Sequence, residues 1–485
     1  MSNSVHVNIA SKQFAKVNIF KPILSRPWVD VRDFGAKGDG IADDAPAIQA
    51  AINSVYADQS VPPPSNPTRR GGIVFFPPGI YLCKSTLIFH PYITYLGIRS
   101  TVGDVSPYWA SRGTIIKAHT DIYNNNHETD GVLIYLWVGD VTIRNIHFFG
   151  TATEVANPSI GLQWGSSGGT ANTGRPHEFD GTGGGVHGVL LDGLQFTGFT
   201  KAWEVNEATI ACHNTIFESS TVTIALRGNV YVNPSDCWLD FSDCLFWSSV
   251  QAFDCSSLGN NNYRIKINGG TFYHDTNNCT HIVYGGTTAP PNLQLECHGT
   301  RFEHHGSSGL YHVDLVGNYD GGNFRWLFDS CYFENGNIRL VRAGGSSACE
   351  NWHFVNCHFQ NISISLNIAY KGEFIGGVYD NSIFSIATAT NWRIEKGIFR
   401  NISGTAITTT TPCSGFSIQD NYFESTVGAP LSIYAGSSNY RIKDNIGNGI
   451  ELPIYANNAA AIAGGLTAGA YYRTGADPDQ ICVVH

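Results

Sequence analysis

The chain is short of charge and almost without methionine: Asp, Glu, Lys and Arg make up 14% of its 485 residues, and Met occurs once. Helical bundles draw on Leu, Glu, Lys and Ala, so this shortage speaks against that class of fold. Basic residues are also few: 29 Lys and Arg stand against 39 Asp and Glu, a net charge of −10 with no basic run. Neutralising phosphates takes clustered Lys and Arg, so neither nucleic acid nor an anionic membrane surface is an expected partner. No apolar stretch reaches the roughly 18 residues of a membrane span, and no membrane insertion is expected. The opening Met1-Ser-Asn-Ser-Val-His-Val-Asn-Ile-Ala-Ser-Lys-Gln-Phe14 lacks the apolar core and small-residue cleavage site of a secretory signal. The twelve cysteines show no Cys-x-x-Cys pairing. They read as buried thiols of a chain folded in a reducing cytosol, not as metal ligands or a disulfide framework.

What the chain has instead is glycine, 53 in all, with abundant asparagine and a recurring octet. The octet runs apolar, any, apolar, any, then Asn, Asp, Gly or Ser, a small residue, any, and an aromatic. Val141-Thr-Ile-Arg-Asn-Ile-His-Phe148 shows it, and it returns at 189, 210, 239, 265, 295, 326, 352, 372, 392 and 416, with a weaker copy at 440. Units of about 20 to 31 residues, each with a period-2 strand, a bend and a second strand, are coils of a β-solenoid. Alternation points offsets 0 and +2 inward, and the aromatic at +7 inward again after the bend. Offset +4 is Asn145, Gly193, Asn214, Asp243, Gly269, Gly299, Ser330, Asn356, Gly376, Lys396, Asp420 and Asp444. Only Lys396 breaks the pattern, and Asn, Asp and Gly take left-handed backbone angles readily, which places the corner there. Cys244, Cys331 and Cys357 all sit at +5, consistent with a packed thiol ladder. The fold class is therefore all-β, a right-handed parallel β-helix with a short N-terminal capping helix. That helix starts at Asp43 or Asp44 and runs to about Tyr56, with Ile48 and Ile52 on its buried face.

Val29-Asp-Val-Arg-Asp-Phe-Gly-Ala-Lys-Gly-Asp-Gly-Ile-Ala-Asp-Asp-Ala-Pro-Ala-Ile-Gln-Ala-Ala-Ile52, followed by Phe75-Phe-Pro-Pro-Gly-Ile-Tyr81, resembles the N-terminal signature of the pectate-lyase-like superfamily. The resemblance covers 28 to about 100 in sequence, and the coils to about 450 agree with it in architecture. That signature occurs in bacteriophage tailspikes and depolymerases, in some glucanases and in polygalacturonase relatives. With the hairpin-like end Gly465 to His485 and the lack of an export signal, the resemblance implies a phage tailspike, usually a homotrimer, made in the bacterial host cytoplasm and located in the virion. Residues 1–27 would then be an arm that attaches to other virion or tail proteins. Residues 28–450 would be the β-helix, with 28–100 as cap and first coils, and 451–485 a short terminal hairpin that could stabilise a trimer. The implied partner is a bacterial surface polysaccharide, capsule or O-antigen, and no cofactor is expected.

Hydrolysis of a polysaccharide needs two carboxyl groups, and matching offsets on adjacent coils, about 4.8 Å apart, supply such pairs. Offset +8 faces outward and holds Glu218, Tyr273, Glu303, Glu334, Gln360, Asp380 and Glu424. Glu303 and Glu334 are consecutive there. Arg301, Tyr332 and His358 at +6, with His304 beside them, are candidates to orient sugars. Like charge would raise one of the two acids. A rival set occupies offsets +1 and +3 of the preceding strand: Glu296 and His298 on one coil, Asp329 on the next and His353 after it. Both sets also fit an ordinary solvated exterior. Trp164 lies in a long insertion, Gly161 to Gly185, read as a flexible loop, and is a candidate to close over a sugar. Arg264-Ile-Lys266 and Arg441-Ile-Lys443 are similar to the Arg-Ile-Lys of polygalacturonases, but the accompanying Asn-Thr-Asp is absent. Three functions remain in view: a depolymerising tailspike, by hydrolysis in preference to elimination; a non-catalytic receptor-binding spike; and a pectate-lyase-type enzyme.

Overall fold

The computed structural model describes residues 28–57, 72–99, 113–123, 131–136, 140–150, 159–164, 186–205, 208–227, 236–257, 262–274, 280–284, 292–304, 311–317, 323–342, 349–367, 369–424, 430–447, 455–464, 471–474 and 481–484. The expected arm at 1–27 lies outside these residues.

Each coil of the solenoid lays down a strand, turns at a left-handed residue, lays down a second strand and bends again into a third. Among the described residues, fifteen parallel strands, from Trp28–Asp30 to Arg441–Lys443, form one sheet in which chain order is spatial order. The second and third strands of the coils form the other large sheet, continuous because strands such as Tyr332–Arg342 and His358–Asn367 run through the bend. The result is the right-handed parallel β-helix expected from the octets.

All twelve offset +4 residues have positive φ, from Asn145 at 57° to Asp444 at 55°, and Lys396 does so as well at 58°. The corner is thus imposed by the coil, not only permitted by residue type. A second corner follows the second strand, at Asn335, Asn361, Asn381 and Asn401, again with positive φ. Here side-chain amides link coils: Asn361 Nδ2 donates to Asn335 Oδ1 at 2.8 Å, and Asn381 Nδ2 to Asn361 Oδ1 at 2.9 Å.

Inside, the +7 aromatics Phe148, Phe196, Phe217, Phe246, Phe272, Phe302, Phe333, Phe359, Tyr379, Phe399 and Phe423 form one stack. Successive centroids are 4.4 to 5.5 Å apart. Each step adds about 0.5–1.5 kcal/mol beyond the area it buries. The +5 thiols reach back one coil: Cys244 to the Cys212 carbonyl at 3.5 Å, Cys331 to Cys297 at 3.3 Å and Cys357 to Phe328 at 3.2 Å. Cys83, Cys212, Cys237, Cys244, Cys255, Cys297, Cys331, Cys357 and Cys413 are free and buried, and Cys482 is free and half-buried.

The capping helix α1 spans Ala45–Ala57 and buries Ile48, Ala51, Ile52 and Val55. Asp43 Oδ1 accepts from the Ala45 amide at 3.2 Å, while the buried Asp44 carboxylate turns back to the Lys37 and Gly38 amides. The two acids therefore divide the work, one capping the helix and one tying down the loop before it. At the other end Tyr471–Arg473 and Ile481–Val483 pair as an antiparallel hairpin.

Candidate active site

Outward side chains of the second strands line up in two columns because parallel, in-register pairing repeats from coil to coil. One column reads Trp247, Tyr273, Glu303, Glu334, Gln360, Asp380, Arg400 and Glu424. Beside it run Leu245, Thr271, Arg301, Tyr332, His358, Val378, Ile398 and Tyr422. Glu303 and Glu334 are thus direct neighbours on adjacent strands, with side chains 14% and 22% exposed.

Arg301 organises the pair. Its Nε contacts Glu303 Oε1, its Nη2 lies 3.4 Å from Glu334 Oε2, and its guanidinium rests 5.0 Å from the Tyr332 ring centroid. A cation shared by both acids supplies the counter-charge inside the site. The like-charge repulsion between the two acids is weakened accordingly. The Tyr332 hydroxyl donates to Gln360 Oε1 at 2.5 Å, and His358 packs edge-on against the Tyr332 ring. Burial, and next the Glu334 carboxylate, raise the Tyr332 phenol; burial, and next Arg400, lower the His358 imidazole. Tyr273 stands next to Glu303 and meets Trp247 edge-to-face at 5.4 Å. Trp247 and Arg400 obey the same offset rule and were missed by the sequence reading. Arg400 pairs with Asp380 at 3.0 Å.

His304 must be corrected. Alternation along Arg301–His304 turns Arg301 and Glu303 out and Phe302 and His304 in, and His304 is 2% exposed. It cannot touch a ligand on the outer face. Trp164 also moves: it ends the strand Ser159–Trp164, paired with Leu136 and Val205, and is not part of a loop. That strand belongs to the coil five before that of Glu303, roughly 24 Å along the axis at the strand spacing. The remainder of the insertion, 165–185, lies outside the described residues.

The rival set is on the other sheet. His298 is in register with Asp329, and its Nδ1 lies 3.5 Å from Asp329 Oδ2 while its Nε2 lies 3.9 Å from Glu296 Oε2. Arg264 and Arg325 approach Glu296 Oε1 at 3.8 and 4.0 Å, and Arg264 also covers the exposed Trp238 ring. His353 bonds Glu373, which Arg393 also holds, so this face continues as alternating cations and acids. The Arg-Ile-Lys segments lie in strands of this sheet. Among the described residues no group of three or more His, Cys, Asp and Glu side chains is arranged to hold a metal ion.

Residues 28–245 match the family model described as Rhamnogalacturonase A/epimerase, pectate lyase-like. Similar curated proteins include the mannuronan C5-epimerase AlgE5 of Azotobacter vinelandii, 46% identical over 89 residues, which is 16% of this chain and 8% of that protein. A probable glucan endo-1,3-beta-glucosidase of Arthroderma benhamiae is 38% identical over 73 residues, 14% of this chain and 8% of that one. The matched stretches thus span less than a tenth of these relatives. Among solved structures, tailspike protein 3 of bacteriophage CBA120 is similar over 92% of this chain and 65% of its own, at 11% identity and a TM-score of 0.43. The surface adhesin PfbA of Streptococcus pneumoniae is similar over 94% and 98%, at 13% identity and a TM-score of 0.41.

Proposed function

We propose that this chain, a pectate-lyase-like β-helix, is a bacteriophage tailspike that binds and depolymerises a bacterial surface polysaccharide by glycoside hydrolysis. The observation that carries the reading is the in-register pair Glu303 and Glu334, flanked on its own column by Tyr273 and Trp247. Neighbouring parallel strands are about 4.8 Å apart, close to the roughly 5–5.5 Å that separates acid and nucleophile in retaining glycosidases. Aromatic rings beside the acids offer flat apolar faces for pyranose rings. Polysaccharide as the ligand class draws also on the family model's description and on relatives named for mannuronan and glucan. Capsule or O-antigen is the expected polymer, a homotrimer the expected assembly, and residues 1–27 the expected attachment arm. Tyr332, Arg301 and His358 would hold sugars across the pair.

A second reading is favoured by Arg301, which engages both carboxylates at once: a spike that binds the polymer without cutting it. Incubation with purified capsule and O-antigen separates the readings. New reducing ends without absorbance from unsaturated products indicate hydrolysis, and ultraviolet absorbance by unsaturated products indicates elimination. Binding with neither signal assigns the adhesin.

A further inference from the structure

Behind the candidate site lies a buried row of imidazoles that its outward residues do not explain. His274, His281, His304 and His312 are at most 2% exposed and come from four different strands: Thr271–His274, Thr280–Tyr284, Arg301–His304 and Tyr311–Gly317. His281 stacks on His274 at 4.5 Å and lies 4.9 Å from His312, with Phe272, Phe302 and Phe333 closing the sides. Two contacts fix the protons. His312 Nε2 lies 3.1 Å from the main-chain oxygen of Glu334, which can only accept, so Nε2 carries the hydrogen. A neutral His312 then has a bare Nδ1. The 3.0 Å contact between its Nδ1 and that of His281 therefore requires His281 to be protonated at Nδ1. His281 Nε2 is left as a lone pair, buried and without a hydrogen-bond partner among the described residues.

We propose that His312, locked in its Nε2–H tautomer by His281, is a positioning residue for Glu334. This rests on the reading of Glu303 and Glu334 as the reacting acids. Glu334 is the last residue before the corner at Asn335, where φ is 54°, so the 334–335 peptide sets the direction of its side chain. His312 holds that peptide from inside the coil while Arg301 holds the carboxylate from outside. Burial keeps both imidazoles uncharged: His312 is pushed down to about 3, and His281 far below the usual histidine value. An imidazolium at His312 would present a second N–H to the Nδ1–H of His281, so the lock needs the neutral pair.

The test compares His312→Phe, which removes the donor, with His312→Gln, whose amide N–H reaches a similar place, beside Glu334→Gln on a cleaved polysaccharide. The expected result is a fall in kcat of about tenfold to a hundredfold for His312→Phe, with KM little changed and His312→Gln largely restoring the rate. Full kcat in folded His312→Phe beside an inactive Glu334→Gln overturns the proposal. If Glu334→Gln itself stays active, or no polysaccharide is cleaved, the site reading fails, and the nitrogen-15 spectrum of histidine-labelled wild-type protein judges the pair alone. Opposite neutral tautomers at His281 and His312 support it; matching tautomers, or a charged ring at neutral pH, overturn it. The same spectrum decides if His312→Phe does not fold.

Discussion

Replacing Phe333 by Ala tests whether the aromatic stack holds neighbouring coils together. The ring is fully buried, parallel to Phe302 at 4.6 Å and to Phe359 at 5.2 Å, edge-on to Phe328 at 5.7 Å and tilted against Phe354 at 6.0 Å and His312 at 5.9 Å. Deleting it removes one ring's burial, two stacking steps, one edge contact and two tilted ones, and leaves a cavity between rigid floors that close-packed neighbours cannot fill. Phe→Ala at such sites costs about 3–5 kcal/mol. A solenoid's coils feel mainly their nearest neighbours, so the cost should stay local. Hydrogen exchange followed by mass spectrometry reads this directly. Amides of the strands holding Phe302, Phe333 and Phe359 should exchange roughly a hundredfold to several thousandfold faster, while those near Phe148 should not change. Uniform acceleration along the chain, or none at residues 301–359, would refute a stack of vertical neighbours.

Acid should weaken the middle coils before carboxylates titrate. His312 is held at about 3 and His281 well below 6.5, so between these values the unfolded chain binds protons that the folded one refuses. Stability present above about pH 6.5 is therefore lost as pH falls, by up to about 1.4 kcal/mol per pH unit for each histidine. The groups facing them are His274 and His304, and His281→Phe should flatten the melting-temperature profile between about pH 6.5 and 5; a profile unchanged by that substitution contradicts the idea. Lys396→Asn should raise the melting temperature by the equivalent of about 0.5–1 kcal/mol, since Lys396 sits at φ 58° where its column neighbours are Gly376 and Asp420; a fall in melting temperature would show that the Lys side chain contributes more than the backbone strain costs. Asn361→Ala should cost about 1–2 kcal/mol by cutting both amide links at the second corner, measured by thermal melting, and no loss would make that ladder ornamental.

The octets made the corners, the inward aromatics and the thiol ladder legible because strand alternation and left-handed turns are local properties. The same locality made Glu303 and Glu334 neighbours on paper. What escaped lay beyond the octet. His304 lies one step beyond the octet's outward +8 position, and that step of alternation turns it inward, away from a ligand. Nothing in the sequence marks where the third strand of that coil stops, so an insertion read from Gly161 reaches over Trp164, the end of the strand. His281 and His312 went unnoticed since the distance from second to third strand varies between coils, so offsets counted from the octet lose register there. The double grip of Arg301 depends on rotamers, which spacing cannot supply.

Replacing Glu303 and Glu334 singly by Gln, and following reducing ends released from a polysaccharide the wild-type protein cleaves, tests the central claim most directly. Each change keeps the column's shape and removes one ionisable group. Acid–base or nucleophilic work at these positions predicts a drop of about 10²–10⁴-fold for each, with the polymer still bound. Two variants that cut at the wild-type rate would contradict it and move the chemistry to Glu296 and Asp329 on the opposite sheet.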